Sequence, residues 1–508
     1  MRPHLFAGDP ALGRRGAQNA PMFLALDQGT TSSRALVFDR CGALRGIGQQ
    51  EFAQHFPAPG QVEHDADEIV RSQTAAVDAA LAAAGEPPIE AVGIANQRET
   101  VVVFERRSGR PIHRAIVWQD RRTAARLREL ADQGHADLVR ERAGLSLDPY
   151  FSAAKIAWIL DHVPGARRAA ERGELGAGTI DTWLLHALTG GAVFATDASN
   201  ASRTSLFDLR SGDWDDELCR LFGVPRRCLP EVRDSAGDFG VWQGRAWPFR
   251  AVLGDQQAAL FAHGCTTPGA AKCTYGTGAF VLQNAGASPP QTAPGVLATV
   301  AWRRGGGTTF AREGSVLVCG AAVQWLRDQL GVVRSAGEIE ALARSVPDTG
   351  DVVFVPAFAG LGTPHWDPRA RGLLIGLSRG TTRAHLARAV VEAMALQVDD
   401  VLTAMRDPAA RPHDPLHVDG GAAANLLLLD VQASLLGAPV ERPALLEATA
   451  FGAFRMSLLG AGVVDDVAAL PQLPGAATTV RGSLPPAVVA RMRTRWRDAV
   501  ERARGWVR

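Results

Sequence analysis

Near its start and again past its middle, this chain breaks an apolar run with a turn of glycine, threonine and serine, then resumes at once with a second strand-like run. The first turn is Asp27-Gln28-Gly29-Thr30-Thr31-Ser32, between apolar residues 23–26 and 33–38. The second is Thr274-Tyr275-Gly276-Thr277-Gly278, inside the strand-like stretch 271–281. Each reads as a β-hairpin whose small residues let another group approach the backbone closely. Helical segments follow both. Strand meanders followed by helices predict an α/β chain with mixed sheets, and two similar halves with a cleft between them are the simplest arrangement.

The other elements follow from periodicity. Ile69, Val70, Gln73, Ala76, Val77 and Ala80 keep the helical 3, 4, 7 spacing over residues 65–84. Residues 89–94, 101–104 and 251–253 read as strands, the last ended by Gly254-Asp255-Gln256-Gln257 and followed by a helix over 257–263. Residues 288–295 read as a surface loop. Helices are predicted over 320–330 and 382–405, the latter with Leu386, Ala389, Val390, Ala393, Met394, Gln397, Val401 and Met405 on one stripe. A strand over 416–418 ends at Asp419-Gly420-Gly421, a helix over 425–436 stops at Gly437, and Val489, Met492, Trp496, Val500 and Ala503 mark a last amphipathic helix.

Composition removes several classes of function. With 508 residues, 46% hydrophobic and 21% charged, the chain buries a sizeable core. Its 54 basic and 53 acidic side chains leave +1, which disfavours a nucleic-acid partner. No apolar run reaches the roughly 18 residues of a spanning helix. The six cysteines form no C-x-x-C pair, so neither a disulfide scaffold nor a zinc cluster is indicated. Residues 1–21 contain no apolar stretch of a secretory signal and read as a flexible N-terminal extension. With unpaired cysteines, this places the protein in a reducing cytoplasm. Lysine is nearly excluded: Lys155 and Lys272 are the two present. A residue type that is almost absent is more apt to be needed where it remains.

No Walker A or G-x-G-x-x-G sequence is present, so a bound nucleotide must be held another way. Two hairpin turns of Gly, Thr and Ser, facing each other across a cleft, can grip a polyphosphate through hydroxyl and N–H donors. Here the residues match a family. The segment from Ala25 to Arg34 resembles the first phosphate motif of the FGGY carbohydrate kinases, within the actin/hexokinase/Hsp70 superfamily. Thr274-Tyr275-Gly276-Thr277-Gly278 resembles their second phosphate loop and Asp419-Gly420-Gly421 their adenosine loop. Tyr150-Phe151-Ser152-Ala153-Ala154-Lys155 and Gly372-Leu373-Leu374-Ile375-Gly376-Leu377 resemble the two family signatures. The resemblance implies two duplicated actin-like (ribonuclease H-like) domains around an interdomain cleft. They would comprise a polyol- and phosphate-binding domain over 22–262 and a nucleotide-binding domain over 263–508.

Within the family, Asn96-Gln97-Arg98-Glu99-Thr100, Trp118-Gln119-Asp120, Asp148-Pro149-Tyr150, Asn200-Ala201-Ser202-Arg203 and Gly254-Asp255-Gln256-Gln257 resemble the members that phosphorylate glycerol. A three-carbon polyol needs donors, acceptors and an apolar wall for its CH₂ edge. Arg98 supplies donors, Glu99 an acceptor, Trp118 and Phe280 the wall, and Tyr150 a phenolic contact. The resemblance implies that Asp255 accepts the proton of the attacking hydroxyl, that Gln256 holds another hydroxyl, and that Asp27 helps hold Mg²⁺ through water. It also implies phosphate contacts from Thr30, Thr31, Ser32 and Arg34, and an ATP site lined by Thr277, Gly320, Gln324, Gly421 and Asn425. The expected reaction is transfer of the γ-phosphoryl of MgATP to glycerol, giving sn-glycerol 3-phosphate. A homo-oligomer, dimer or tetramer, is expected. Residues 239–253 lack the Gly-rich basic loop that some relatives use for inhibition by a sugar bisphosphate. Taken singly, Arg98–Glu99 also fits a solvated pair at a strand end, Trp118 a core residue and Asp255 a helix cap. A kinase of pentitols or pentuloses and an actin- or Hsp70-like ATPase remain as alternatives.

Overall fold

In the computed structural model, β1 (Met22–Gln28) and β2 (Ser32–Phe38) form the first predicted hairpin, closed by Gly29 N–H donating to the Ser32 carbonyl. The structure describes residues 20–406 and 414–507; the extension expected over 1–21 lies, apart from its last two residues, outside the described residues. β3 (Leu44–Glu51) adds antiparallel to β2, while β4 (Ile89–Asn96) and β5 (Phe249–Gly254) add in parallel beyond β1, giving the order β5-β4-β1-β2-β3. The second hairpin starts a seven-stranded sheet. Its strands are β6 (Ala271–Tyr275), β7 (Ala279–Gly286), β8 (Leu297–Arg304), β9 (Gly307–Val316), β10 (Leu416–Asp419), β11 (Val440–Arg442) and β12 (Thr478–Val480), in the order β8-β9-β7-β6-β10-β11-β12. β6 has antiparallel β7 on one side and parallel β10, then β11, on the other. β1 has the same neighbours in the same senses. The duplication expected from the two turns is therefore a duplication of sheet topology.

Helix ends follow local chemistry. α1 (Ala66–Ala84) begins where the Asp65 carboxylate accepts from Glu68 N–H and stops at left-handed Gly85. α2 (Asp255–Ala262) begins directly after β5, two residues earlier than periodicity predicts, because its first turn carries polar residues. α3 (Gly320–Asp328), α4 (Arg383–Ala404) and α5 (Leu426–Leu436) lie where predicted. α6 (Ala448–Gly460) crosses back from the second half of the chain onto the first sheet. Phe454 stacks on Phe38 at 4.9 Å and meets Phe23 edge-on at 5.8 Å. Each such buried ring contributes roughly 1.5–3 kcal/mol. Gly452 is required there: a Cβ would lie 1.9 Å from the Ala258 carbonyl of α2. α7 (Pro486–Ala503) closes the second core through Val489, Trp496 and Val500.

A polar network lies under the first sheet. Asp181 is fully buried and accepts from Thr179 Oγ1 at 2.5 Å and Thr196 Oγ1 at 2.6 Å. Burial, with the nearby Asp197 carboxylate, pushes its carboxyl up to about 6. A folded-state value above the unfolded one means that the folded chain holds the extra proton. This stabilisation is complete below about pH 4 and is lost as pH rises through 6. Asp181→Asn, neutral throughout, is thus expected to gain stability relative to the parent by roughly 3 kcal/mol between pH 4 and pH 8. Urea unfolding of both proteins at the two pH values checks this; an equal difference at both would refute it.

Candidate active site

Three parallel strands deliver the site. Gln28, Asn96 and Gly254 are register partners at the carboxyl ends of β1, β4 and β5. The residues that follow each of them therefore emerge side by side: the turn 29–31, the segment 97–100 and Asp255. On the second sheet Thr274 of β6 is the partner of Asp419 of β10. The β6–β7 turn and Gly420-Gly421 accordingly emerge together. Gly420 has φ +86°, and a Cβ there would lie 2.5 Å from the Tyr275 carbonyl, so only glycine lets this loop lie against the turn. Ligands of open α/β sheets bind at such strand ends.

The ends enclose a cleft of 740 Å³. Thr30, Thr31, Arg98, Glu99, Trp118, Tyr150, Asp255, Gln256, Thr277 and Phe280 all line it. Asp27, Ser32, Arg34, Gly320, Gln324, Gly421 and Asn425 lie outside its lining. Ser32 is buried and its hydroxyl accepts from Gln49 Nε2 at 3.0 Å. Arg34 pairs with Glu447 at 2.9 Å and stands 3.9 Å from Asp27. Burial raises the Asp27 carboxyl to about 7; Arg34 opposes this, and Glu447 and Asp255 add to it. Gly320 N–H donates to the Gly276 carbonyl, which sets the start of α3 beside the second turn. Gln324 is exposed on that helix. Asn425 accepts from Leu428 N–H as the N-cap of α5, a contact that does not use its NH₂ group.

An apolar wall and a charged floor face each other in the cleft. The Trp118 ring meets Tyr150 at 5.6 Å and Phe280 at 6.4 Å, both edge-on, and its Nε1–H donates to Thr30 Oγ1 at 2.9 Å. Trp118 is therefore a half-buried wall tied to the first turn, not a core residue. Arg98 and Glu99 are 3% and 1% exposed, so the reading as a solvated pair is wrong. Arg98 Nη1 and Nη2 grip the Glu313 carboxylate at 2.6 and 3.0 Å, Nη2 reaches Tyr150 Oη at 3.2 Å, and Nε faces Asp255 at 3.3 Å. Arg203 donates to Glu99 at 2.7 Å and to Glu313 at 2.8 Å. Two arginines and two glutamates thus close a buried ring. Burial pushes the Glu313 carboxyl up, but two guanidiniums overcome this and hold it below the usual range. Burial also pushes up Glu99, which has less compensation and stays raised. Glu99 adopts φ +61°, uncommon for a residue with a Cβ, and this turns its carboxylate back to Arg203.

The residues that sequence reasoning missed lie behind this floor. Glu313 was not singled out; its only signal is an Arg312-Glu313 pair in the middle of a buried strand. Both lysines are fully buried. Lys155 Nζ donates to the Pro149 and Tyr150 carbonyls at 2.9 and 2.6 Å, anchoring the Tyr150 segment, and burial brings its ammonium down to about 7. Lys272 donates to Gln256 Oε1 and, at 2.7 Å, to Thr274 Oγ1. Asp419 accepts from or pairs with His263 Nε2 at 2.8 Å. Rarity did mark both lysines.

The model of the FGGY family of carbohydrate kinases, N-terminal domain, matches residues 22–262, and that of its C-terminal domain matches 271–461. The chain belongs to the FGGY family of carbohydrate kinases. Among curated FGGY relatives, the glycerol kinase of Bordetella parapertussis is 52% identical over 495 residues, covering 96% of this chain and 97% of that protein. The glycerol kinase of Alkalilimnicola ehrlichii is 54% identical over 491 residues, covering 96% and 99%. The crystal structure of Plasmodium falciparum glycerol kinase with ADP superposes with a TM-score of 0.89 at 28% identity, covering 96% of this chain and 98% of that one. The α/β architecture and the kinase class expected from the motifs are thereby established for this FGGY member. No helix among the described residues is long and apolar enough to cross a membrane.

Proposed function

We propose that this FGGY kinase is a glycerol kinase, transferring the γ-phosphoryl group of ATP to a terminal hydroxyl of glycerol to give sn-glycerol 3-phosphate and ADP. The observation that carries this reading is the convergence of Arg98, Glu99, Trp118, Tyr150, Asp255, Gln256 and Phe280 on one cleft that both hairpin turns also enter. Full-length similarity to glycerol kinases supports it.

The polyol lies with its CH₂ edge on Trp118 and Phe280 and its hydroxyls among Arg98, Glu99 and Tyr150. Asp255 Oδ1 already takes the Gln256 backbone N–H at 2.7 Å and faces Arg98 Nε, whereas Oδ2 has one long contact of 3.5 Å. Oδ2 is therefore the oxygen open to a substrate hydroxyl, and it takes that proton as the hydroxyl oxygen attacks phosphorus. Phosphoryl transfer depends chiefly on positioning and charge neutralisation, so the proton acceptor need not be a strong base. Thr30, Thr31 and Thr277 with their turns hold the phosphates; Gly320, Gln324, Gly421 and the Asn425 amide hold the nucleoside, with Ser32 and Arg34 supporting the first turn. The donor set suits Mg²⁺. Asp27 has Arg34 as a cationic neighbour, 3.9 Å away and itself paired with Glu447, which leaves the carboxylate available to an ion kept mainly by water and phosphate. Bound with the triphosphate and held by Asp27 through water, Mg²⁺ would neutralise charge on the transferred group. Closure of the two domains, 22–262 and 263–508, excludes water that would otherwise take the phosphoryl group. The six free cysteines support a reducing, cytoplasmic location.

ADP release measured with glycerol, dihydroxyacetone, xylulose and ribulose side by side tests the reading. The highest kcat/KM is expected with glycerol. A sugar that exceeds it would make this a pentulose kinase, and hydrolysis indifferent to every polyol would make it an ATPase of the same fold.

A further inference from the structure

A buried ammonium crosses between the two halves of the site. Lys272 lies on β6, in the second half, and its Nζ reaches the side-chain oxygen of Gln256 on α2, in the first half. The same Nζ donates to Thr274 Oγ1 at 2.7 Å, and Thr274 is the register partner of Asp419, the residue that opens the Gly420-Gly421 loop. An ammonium has donors and no acceptor, so the Gln256 atom facing it must be the carbonyl oxygen. The opposite neighbour agrees: Gln256 Nε2 stands 3.5 Å from the Asp255 carboxylate, which accepts only. Two neighbours with opposite demands leave the amide one orientation.

We propose that Lys272 is a positioning residue for the polyol: from across the domain boundary it fixes the Gln256 amide with its NH₂ group towards Asp255 and the cleft, so that Gln256 meets the substrate as a donor. Without Lys272 the amide can flip, and a carbonyl oxygen beside Asp255 would crowd two acceptors at the point where a hydroxyl oxygen must sit. Lys272 also ties Gln256 to the Thr274–Asp419 pair, so the polyol site and the nucleotide loop share one buried cation. The inference rests on the glycerol reading of the cleft and adds a polarity to it.

The test is steady-state ADP release by the full-length protein carrying Lys272→Met, Gln256→Ala, or both, with glycerol and ATP varied in turn. Lys272→Met is expected to raise the KM for glycerol by about tenfold to a hundredfold, the effect of losing a charge-assisted hydrogen bond, with the KM for ATP changed less than about threefold. In the Gln256→Ala background the same substitution is expected to add nothing, because the two residues act as one unit. A glycerol KM within about twofold of the parent, or an equal rise in both backgrounds, overturns the positioning role. Where Lys272→Met does not fold, Gln256→Glu decides: its carboxylate still receives Lys272 but offers no donor. A rise of about tenfold in glycerol KM is then expected, and an unchanged value overturns the proposal. Parent protein without glycerol-dependent turnover sinks the functional reading itself, whereas an active parent with insensitive variants sinks only the role of Lys272.

Discussion

Asp255→Asn is expected to lower kcat for glycerol-dependent ADP release by about 10³-fold, while the KM for ATP stays within about threefold. The amide keeps the shape of the carboxylate and its contact with the Gln256 N–H, so the fold of α2 is retained. It removes the acceptor at Oδ2, the oxygen that has no close protein donor. An amide NH₂ placed there would point a donor at the attacking hydroxyl's proton. The deficit should therefore appear in kcat, with binding of both substrates largely preserved. Single-turnover measurements at saturating ATP separate the chemical step from ADP release. Near-parental kcat in this variant would remove Asp255 from the mechanism and leave positioning alone to account for turnover.

Glu313→Ala is expected to be the most destabilising of the single changes named here. Glu313 is fully buried and receives both guanidiniums, Arg98 from the first half and Arg203 from a helix end of the same half. Its removal leaves Arg98 and Arg203 facing each other in a space closed to water, with Glu99 as the remaining carboxylate of the ring. Breaking a buried ion pair by deleting one partner costs about 3–5 kcal/mol, so Tm should fall by on the order of 10 °C. Arg98 would also lose the carboxylate that aims it, and glycerol binding should weaken with it. Glu313→Gln keeps volume and one acceptor, and should lie between the parent and the alanine variant. Thermal unfolding of the three proteins checks the order; a Tm of the alanine variant within about 2 °C of the parent would show that the ring carries little of the stability.

Much of the fold was legible because it is written locally. Apolar period, Gly/Thr/Ser turns and cap residues placed β1, β2, α1, α4 and α5 within a residue or two of where they lie. The duplicated hairpins anticipated two similar halves, while the matching neighbours around β1 and β6 emerged only in the structure. α6 was harder to place. No helix was expected over 448–460, and its docking onto the first sheet depends on Phe23, Phe38 and the close approach at Gly452, which no window around those residues contains. In the site, Asp255 could be placed because it follows directly on a strand end, whereas its role and those of Thr30 and Thr277 came from the resemblance to the FGGY motifs. Arg98 and Glu99 were named too, but as a pair open to solvent equally well, because burial is not a property of a dipeptide.

By itself, the sequence determined the strands around the site, the two Gly/Thr/Ser turns, the side chains whose chemistry suits a small polyol and the places where a rare lysine was retained. Only the tertiary structure decided which charges meet. Arg98 and Glu313 are separated by 215 positions, and Lys272 reaches Gln256 across the boundary of two sheets. The physical reason is range. Turn and helix propensities act over a few residues, whereas the pairing of a buried charge depends on which side chains the packed sheets bring within about 3 Å, and that geometry exists only once the whole core has formed.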